Sequence, residues 1–200
     1  MIDVLGWMTV AFFVIFIFLA VLNKIWSLFK KPVNPSINPD NMPKLSPIPI
    51  PTKNRKCIFK ILVWIFEVRK WKLLENSDFK ISVDNSTVVV TIPKGYVFDG
   101  ASIPRPFWFL LSPTGLLLIP ALIHDYGYCY NQLWEKRNGK YFPFKKDSGR
   151  VFWDKLFWKI GKDINNVPVI DFFAFLGVYF FGIFTWRRHR KNEEIPSAPE

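Results

Sequence analysis

The sequence has few of the residues that build disulfide scaffolds and zinc fingers. It contains two cysteines, Cys57 and Cys129, which are far apart and in no metal-like spacing. A disulfide framework is therefore not expected, and two free thiols in a reducing compartment are expected. No helix-turn-helix, zinc-finger or RNA-binding signature accompanies the formal net charge of +11, so nucleic acid is an unlikely partner.

Charge is absent from the first apolar segment. Residues 4–22 contain no charged side chain, and about twenty apolar residues are enough to cross a hydrocarbon core of roughly 30 Å. A cleaved signal peptide would begin with positive charge, whereas Asp3 precedes this segment. Lysines follow it at positions 24, 30 and 31. The positive-inside rule then predicts one transmembrane helix, with the main domain in the cytoplasm.

Composition divides the chain into four parts. We predict a transmembrane anchor over residues 1–24, and a basic flank with a proline-rich stalk over 25–56. Proline removes backbone donors and fixes φ, so neither helix nor sheet is expected to propagate through the stalk, although it can pack against the domain. Half of all residues are apolar, which permits a sizeable core in the predicted domain, 57–186. A basic and polar tail follows over 187–200, and its end is expected to be disordered.

Short β-prone runs dominate the first half of the domain. Residues 57–74 alternate in part and predict one or two strands. Residues 79–83 and 87–92 are β-prone and are joined by Asp84, Asn85 and Ser86, whose side chains favour turns. The pattern predicts a β-hairpin there.

Helical periodicity dominates the second half. We predict helices over 120–134 and 149–161, the latter with Trp153, Leu156, Phe157 and Ile160 on one face. A third apolar stretch, 167–186, begins beside Pro168 and contains Asp171, so a core or interface helix is favoured over a second crossing. The predicted fold class is α+β, with a small antiparallel sheet followed by a helical half.

One histidine lies within an apolar segment. His124 precedes Asp125 on the helix predicted over 120–134, and an imidazole in such surroundings can act as a base near neutral pH. Adjacent helix positions point about 100° apart, so Asp125 is not expected to orient this imidazole. Asp154, on the following helix, is the candidate for that role. The alternative for His124 is a core histidine donating to a carbonyl.

A second polar cluster contains Asp99 and Gly100. With Asp125, these residues are candidate oxygen ligands for Ca²⁺, because glycine allows close backbone approach and carboxylates suit a hard cation. Alternatively, Asp99 is a turn residue and Asp125 pairs with Arg105. No nucleophile elbow surrounds Ser102, so it is not expected to act as a nucleophile. Its hydroxyl is expected to form a structural hydrogen bond with the loop backbone.

Three motifs carry a resemblance to a known family. VTIPKGYVFDGASIPR, ALIHDYGY and RVFWDKLF occur in this order. They closely resemble the signature of a phage and bacterial family catalogued as domain of unknown function 1353, over about residues 75–186. The resemblance implies a phage or prophage origin, and the family brings no agreed activity.

DGAS and ALIHDYGY are also similar to the DGCS and ACxRHDFGY elements of bacterial secreted phospholipase A-two enzymes. That similarity implies His124 as the activator of water, Asp125 and Asp99 as calcium ligands, and Asp154 as the residue that holds the histidine. Ala101 and Ala121 replace the family's paired cysteines. The spacing before Asp154 is also longer here, with an insertion around residues 134–146.

Together these features predict a single-pass phage protein of the host inner membrane or a virion membrane. The expected activity is calcium-dependent hydrolysis of phospholipid esters, and the expected partners are the lipid bilayer and other phage or host membrane proteins. The alternative is a non-catalytic membrane or virion component.

Overall fold

Three helices and seven short strands make up the described part of the chain. The computed structural model describes residues 42–49, 56, 70–84, 86–99, 117–165, 167–192 and 195–200, and five separate positions between 14 and 25. In chain order the elements are β1 (Leu45–Pro47), β2 (Trp71–Leu73), β3 (Ser77–Val83), β4 (Ser86–Ile92), β5 (Val97–Phe98), α1 (Leu118–Tyr130), β6 (Leu133–Arg137), β7 (Lys140–Phe144), α2 (Arg150–Asn165) and α3 (Pro168–Asn192).

The strands form two antiparallel sheets. One has the order β1-β2-β5 and the other β3-β4-β6-β7. The predicted hairpin is confirmed as β3 and β4, which pair from Ser77 with Ile92 to Val83 with Ser86. Along β3 the residues at alternate positions are buried, as expected of a strand with one face on the core. The α+β class is therefore correct.

The predicted stalk contains a strand. β1 pairs with β2, and Ile48 N donates to Lys70 O at 2.9 Å. The expectation that no sheet propagates through this segment is wrong at these residues. β1 ends in Pro47, which has no backbone N–H to donate. Because β1 lies at the edge of its sheet, this proline interrupts no hydrogen bonding in the centre of the sheet. This part of the stalk packs on the domain, and most of the remainder lies outside the described residues.

The helix predicted over 120–134 is shorter than expected. It ends at Tyr130 because Asn131 adopts a left-handed conformation with φ of 52°, and Asn131 N donates to Gly127 O. Trp134 lies in β6 instead. β6 and β7 form a second hairpin around Asn138 and Gly139, so the prediction that the whole sheet precedes the helices is wrong. The insertion around 134–146 extends the larger sheet.

The three helices pack against one another behind the sheets. The face of α2 predicted to be apolar is buried. α1 and α2 approach closely at Gly127, where an added Cβ would lie 2.5 Å from Trp153 Cε3. α3 continues through the basic residues at 187–191. At the chain end, where disorder was expected, Asn76 Nδ2 donates to Glu200 O at 2.9 Å.

The predicted anchor lies almost wholly outside the described residues. Its described positions are Val14, Ile17, Phe18 and Val21, and with Ile25 they are helical and exposed. Within the described residues, no individual helix has the length and apolarity needed to cross a bilayer. α3 would meet that requirement only as a bent pair, Ile170–Phe180 and Gly182–Asn192, inclined at 50°.

Candidate active site around His124

The structure brings His124 and Asp154 together between α1 and α2. His124 Nε2 lies 3.2 Å from Asp154 Oδ1, and both residues are buried, with Asp154 fully enclosed. The close approach of the two helices at Gly127, three residues after His124, permits this pairing. The pairing is the geometry expected of an orienting carboxylate.

Asp154 accepts two further hydrogen bonds. Tyr128 Oη donates to Oδ1, and Arg150 Nη1 donates to Oδ2 at 2.9 Å. A buried carboxylate held by a cationic partner and several hydrogen-bond donors is fixed in position. The sequence patterns did not point to Tyr128 or Arg150 as site residues. Each lies one helical turn from a predicted site residue, and this four-residue spacing is the signal that would have found them.

Two aromatic rings pack against the imidazole. The ring centroid of Tyr128 is 4.0 Å from that of His124, and Phe157 meets the imidazole edge-on at 5.3 Å. The imidazole therefore has little freedom to rotate away from Asp154. This restraint keeps Nε2 on Asp154 and directs Nδ1 toward the opposite side.

Asp125 occupies that opposite side. Its Oδ1 lies 3.5 Å from His124 Nδ1, so Asp125 contacts the imidazole that it was not expected to orient. The side-chain torsions of aspartate allow the carboxylate to turn back across the 100° step between the two residues. The Asp125 side chain is 25% exposed and that of His124 is 5% exposed. Asp125 therefore marks the side from which solvent reaches the cluster.

Burial and charge shift the proton affinities of this pair. Burial lowers the pKa of His124, but hydrogen bonds and charges from Asp125 and Asp154 outweigh it and raise the pKa above 6.5. Burial also raises the pKa of Asp125 to about 7. The hydrogen bond and charge of His124 oppose that rise, and the neighbouring Asp99 adds to it. The pKa of Asp125 therefore lies near neutrality, and that of His124 lies above its usual value.

Asp99 follows β5 and faces Asp125 closely enough to influence its protonation. Asp125 Oδ2 is buried and finds no hydrogen-bond partner among the described groups. An unpaired carboxylate oxygen beside a second carboxylate fits a hard cation. The described residues contain no cluster of three or more His, Cys, Asp or Glu arranged around a metal. Gly100, Ser102 and Arg105 lie outside the described residues.

Comparison with known proteins places this cluster in a family. Residues 71–178 match the family described as Protein of unknown function (DUF1353), which covers more than half of the chain. The chain belongs to this family. The matched part of the DUF1353 chain contains Asp99, His124, Asp125 and Asp154. No curated protein and no solved structure matches the chain.

Within this DUF1353 domain, two carboxylates of different character flank one imidazole. Asp154 is enclosed and fully hydrogen-bonded, whereas Asp125 is partly open and titrates near neutral pH. Unequal acid groups around a histidine are typical of general acid–base chemistry, in which one orients the base and the other faces the reacting molecules.

Proposed function

We propose that this DUF1353 protein is a membrane-anchored hydrolase that activates water for attack on a phospholipid ester. The observation that supports it most strongly is the contact of His124 Nε2 with Asp154 Oδ1 at 3.2 Å, in which the carboxylate is itself held by Tyr128 and Arg150. An imidazole oriented in this way can act as a general base through its other nitrogen, Nδ1, which Asp125 Oδ1 approaches to 3.5 Å.

In the proposed reaction, Nε2–H donates to Asp154 and Nδ1 is the base. Nδ1 removes a proton from water, and the resulting hydroxide attacks the ester carbonyl carbon. The bond between that carbon and the alkoxy oxygen breaks, and the imidazolium returns its proton to the leaving oxygen. The products are a fatty acid and a lysophospholipid. Asp154 stabilises the imidazolium and does not take the proton, since Arg150 and Tyr128 already occupy its oxygens.

Asp99 and Asp125 are the residues that would hold a cation, Ca²⁺ by preference, with backbone carbonyls and water completing its ligands. A cation bound there would supply electrostatic stabilisation of the developing oxyanion. It would also keep Asp125 ionised.

The predicted anchor supports a substrate in the membrane. Residues 4–22 carry no charge, and the described positions among them are helical with exposed apolar side chains. A helix of this kind would keep the domain beside phospholipid esters at all times. The motif similarity to secreted phospholipase A-two enzymes favours the same substrate class. On the positive-inside rule the domain would act at the cytoplasmic face of the host inner membrane.

The second candidate is a non-catalytic phage component of a host or virion membrane. It is favoured by the low exposure of the His124 side chain, 5%, with a carboxylate beside each ring nitrogen. A buried network of this kind also locks two helices together without chemistry.

The test is release of fatty acid from phospholipid vesicles carrying the full-length protein, measured by mass spectrometry. We expect release with calcium, loss of release in chelator, and a fall of about 100-fold or more in His124→Gln and Asp154→Asn. Asp163→Asn is the matched control, because Asp163 is an exposed carboxylate on the same helix as Asp154. Release that persists in His124→Gln would exclude this mechanism. No release from a folded wild-type protein would favour the non-catalytic component.

A further inference from the structure

The second half of α3 exposes large aromatic side chains. Phe180 is 62% exposed and Phe184 is 71% exposed, and the two are one helical turn apart. Exposed phenyl rings at this spacing form a stripe along the helix that the described part of the domain does not cover. Such a stripe is unfavourable in water unless another apolar phase covers it.

Three cations continue the same stripe. Arg187, Arg188 and Lys191 are exposed, and each follows the preceding members at three- or four-residue spacing on the helix. Aromatic rings followed by arginine and lysine on one face match the interface of a bilayer, where rings settle at the acyl boundary and cations meet lipid phosphates. A protein partner would not require aromatic rings to be followed by cations along the helix.

The opposite face of the helix is fixed to the domain. Arg190 Nη2 donates to Tyr128 O at 2.9 Å and also to Cys129 O. The ring of Trp186 meets Tyr128 edge-on at 5.3 Å. An added Cβ at Gly182 would lie 2.6 Å from Tyr128 Oη, so this half of α3 packs closely on α1. These contacts hold the aromatic and basic stripe outward.

We propose that the stripe formed by Phe180, Phe184, Arg187, Arg188 and Lys191 docks in the headgroup region of an anionic lipid bilayer, with α3 lying along the surface. The charge complementarity of three cations with anionic headgroups identifies the partner as lipid. Each such cation near an anionic surface contributes attraction that is screened by salt.

α3 lies on the bilayer and does not cross it, because its centre is bound to an ion pair whose carboxylate is fully buried. Arg150 Nη1 donates both to Tyr179 O at 2.7 Å and to Asp154 Oδ2 at 2.9 Å. A crossing helix centred on Tyr179 would place this guanidinium and carboxylate near the bilayer midplane, which is strongly unfavourable. The 50° bend beside this carbonyl is consistent with a helix that follows a surface.

Docking of α3 on lipid is a separate property from the proposed hydrolase function and does not depend on it. Because Arg150 links α3 to the site, a docked α3 nevertheless fixes the position of the site relative to the lipid. Asp154 and the bend of α3 share one hydrogen-bond donor, so a docked α3 holds the His124 cluster beside the headgroups.

The experiment measures the depth of residue 184 in proteoliposomes of the full-length chain. A Cys57→Ser background retains Cys129, which is buried. Phe184→Cys is labelled with an environment-sensitive fluorophore, and Lys140→Cys, at the exposed first residue of β7, is the matched control. Two spin-labelled lipids are used to quench the fluorophore. One carries its spin label near the headgroup, and the other carries it near the end of the acyl chain. All samples contain chelator, so any calcium-dependent hydrolysis is off.

With anionic vesicles, we expect headgroup-level lipid to quench the label at 184 about twofold or more above both the deep quencher and the control position. Substituting Arg187→Gln and Arg188→Gln together, or raising the salt, lowers this quenching by about half or more. Strongest quenching by the deep lipid would show that α3 crosses the bilayer, and quenching equal to that at residue 140 would show no docking. Either result would overturn the proposal while leaving the hydrolase test unaffected.

Discussion

Replacing Gly127 with alanine tests the helix contact that holds the candidate site together. The new Cβ would lie 2.5 Å from Trp153 Cε3 and 2.7 Å from Cδ2. Trp153 cannot withdraw easily, because it is fully buried, its Nε1 donates to Asn131 Oδ1 at 2.9 Å, and Phe152 packs on its ring edge-on. The two helices must therefore separate.

Two opposing effects set the magnitude. Alanine in place of glycine favours a helix interior by about 1 kcal/mol. Overpacking a buried contact costs about 1–3 kcal/mol, and a ring fixed on several sides places this contact at the upper end. We expect Gly127→Ala to lower the free energy of unfolding by about 1–2 kcal/mol, or the melting temperature by about 2–8 °C for a chain of this size.

The assay is guanidinium unfolding of the detergent-solubilised protein. Gly177→Ala is the matched control, because an added Cβ there meets nothing within 4 Å and α3 continues through it. That variant should be equal to the wild type or more stable by up to about 1 kcal/mol. If Gly127→Ala proved as stable as Gly177→Ala, the close α1–α2 contact, and with it the positioning of His124 against Asp154, would be refuted.

Three further predictions concern the buried cluster. Tyr128→Phe should cost about 1–3 kcal/mol of unfolding free energy, because one donor to a buried carboxylate is lost; a stability change below 0.5 kcal/mol in chemical denaturation would contradict that contact. Arg150→Met should cost about 3–5 kcal/mol, since it leaves Asp154 buried without its cationic partner, and Arg150→Lys should recover part of the loss. In chelator, stability should fall as pH rises, because the folded state raises the pKa of His124 above 6.5 and that of Asp125 from 3.8 to about 7. The stabilising effect of Asp125 is complete below pH 3.8 and is lost through about pH 7; that of His124 is complete below pH 6.5 and is lost above it. Urea midpoints measured across this range should decline in the wild type and decline less in Asp125→Asn, and equal slopes would contradict the shifts.

Local sequence patterns predicted the first hairpin and the buried face of α2, because both depend on neighbouring residues in the chain. The second hairpin was missed although Asn138 and Gly139 form the two-residue turn that favours strand pairing, with φ of 49° and 75°. Because the helical periodicity continues to Trp134, the start of β6 was predicted as helix, and the turn signal at Asn138 and Gly139 was overlooked. Left-handed Asn131 is what ends the helix, and its side chain also accepts from Gly149 N and Trp153 Nε1.

Long-range pairing accounts for the remaining differences. Nothing local in residues 45–47 indicates that they pair with β2, since the partner supplies the hydrogen bonds. The site was predictable in part: His124 and Asp154 were singled out, whereas Tyr128 and Arg150 required knowledge of which helix faces meet. The position of Asp125 depends on side-chain torsions that the 100° step between neighbours does not determine.

The proposed hydrolysis depends most directly on water activated by His124. The decisive measurement is incorporation of oxygen-18 from labelled water into fatty acid released from phospholipid vesicles by the full-length protein with calcium. We predict one labelled oxygen per fatty acid in the wild type and labelled release lower by about 100-fold or more in His124→Gln. Absence of release from the wild type, or labelled release that is unchanged in His124→Gln, would contradict the account.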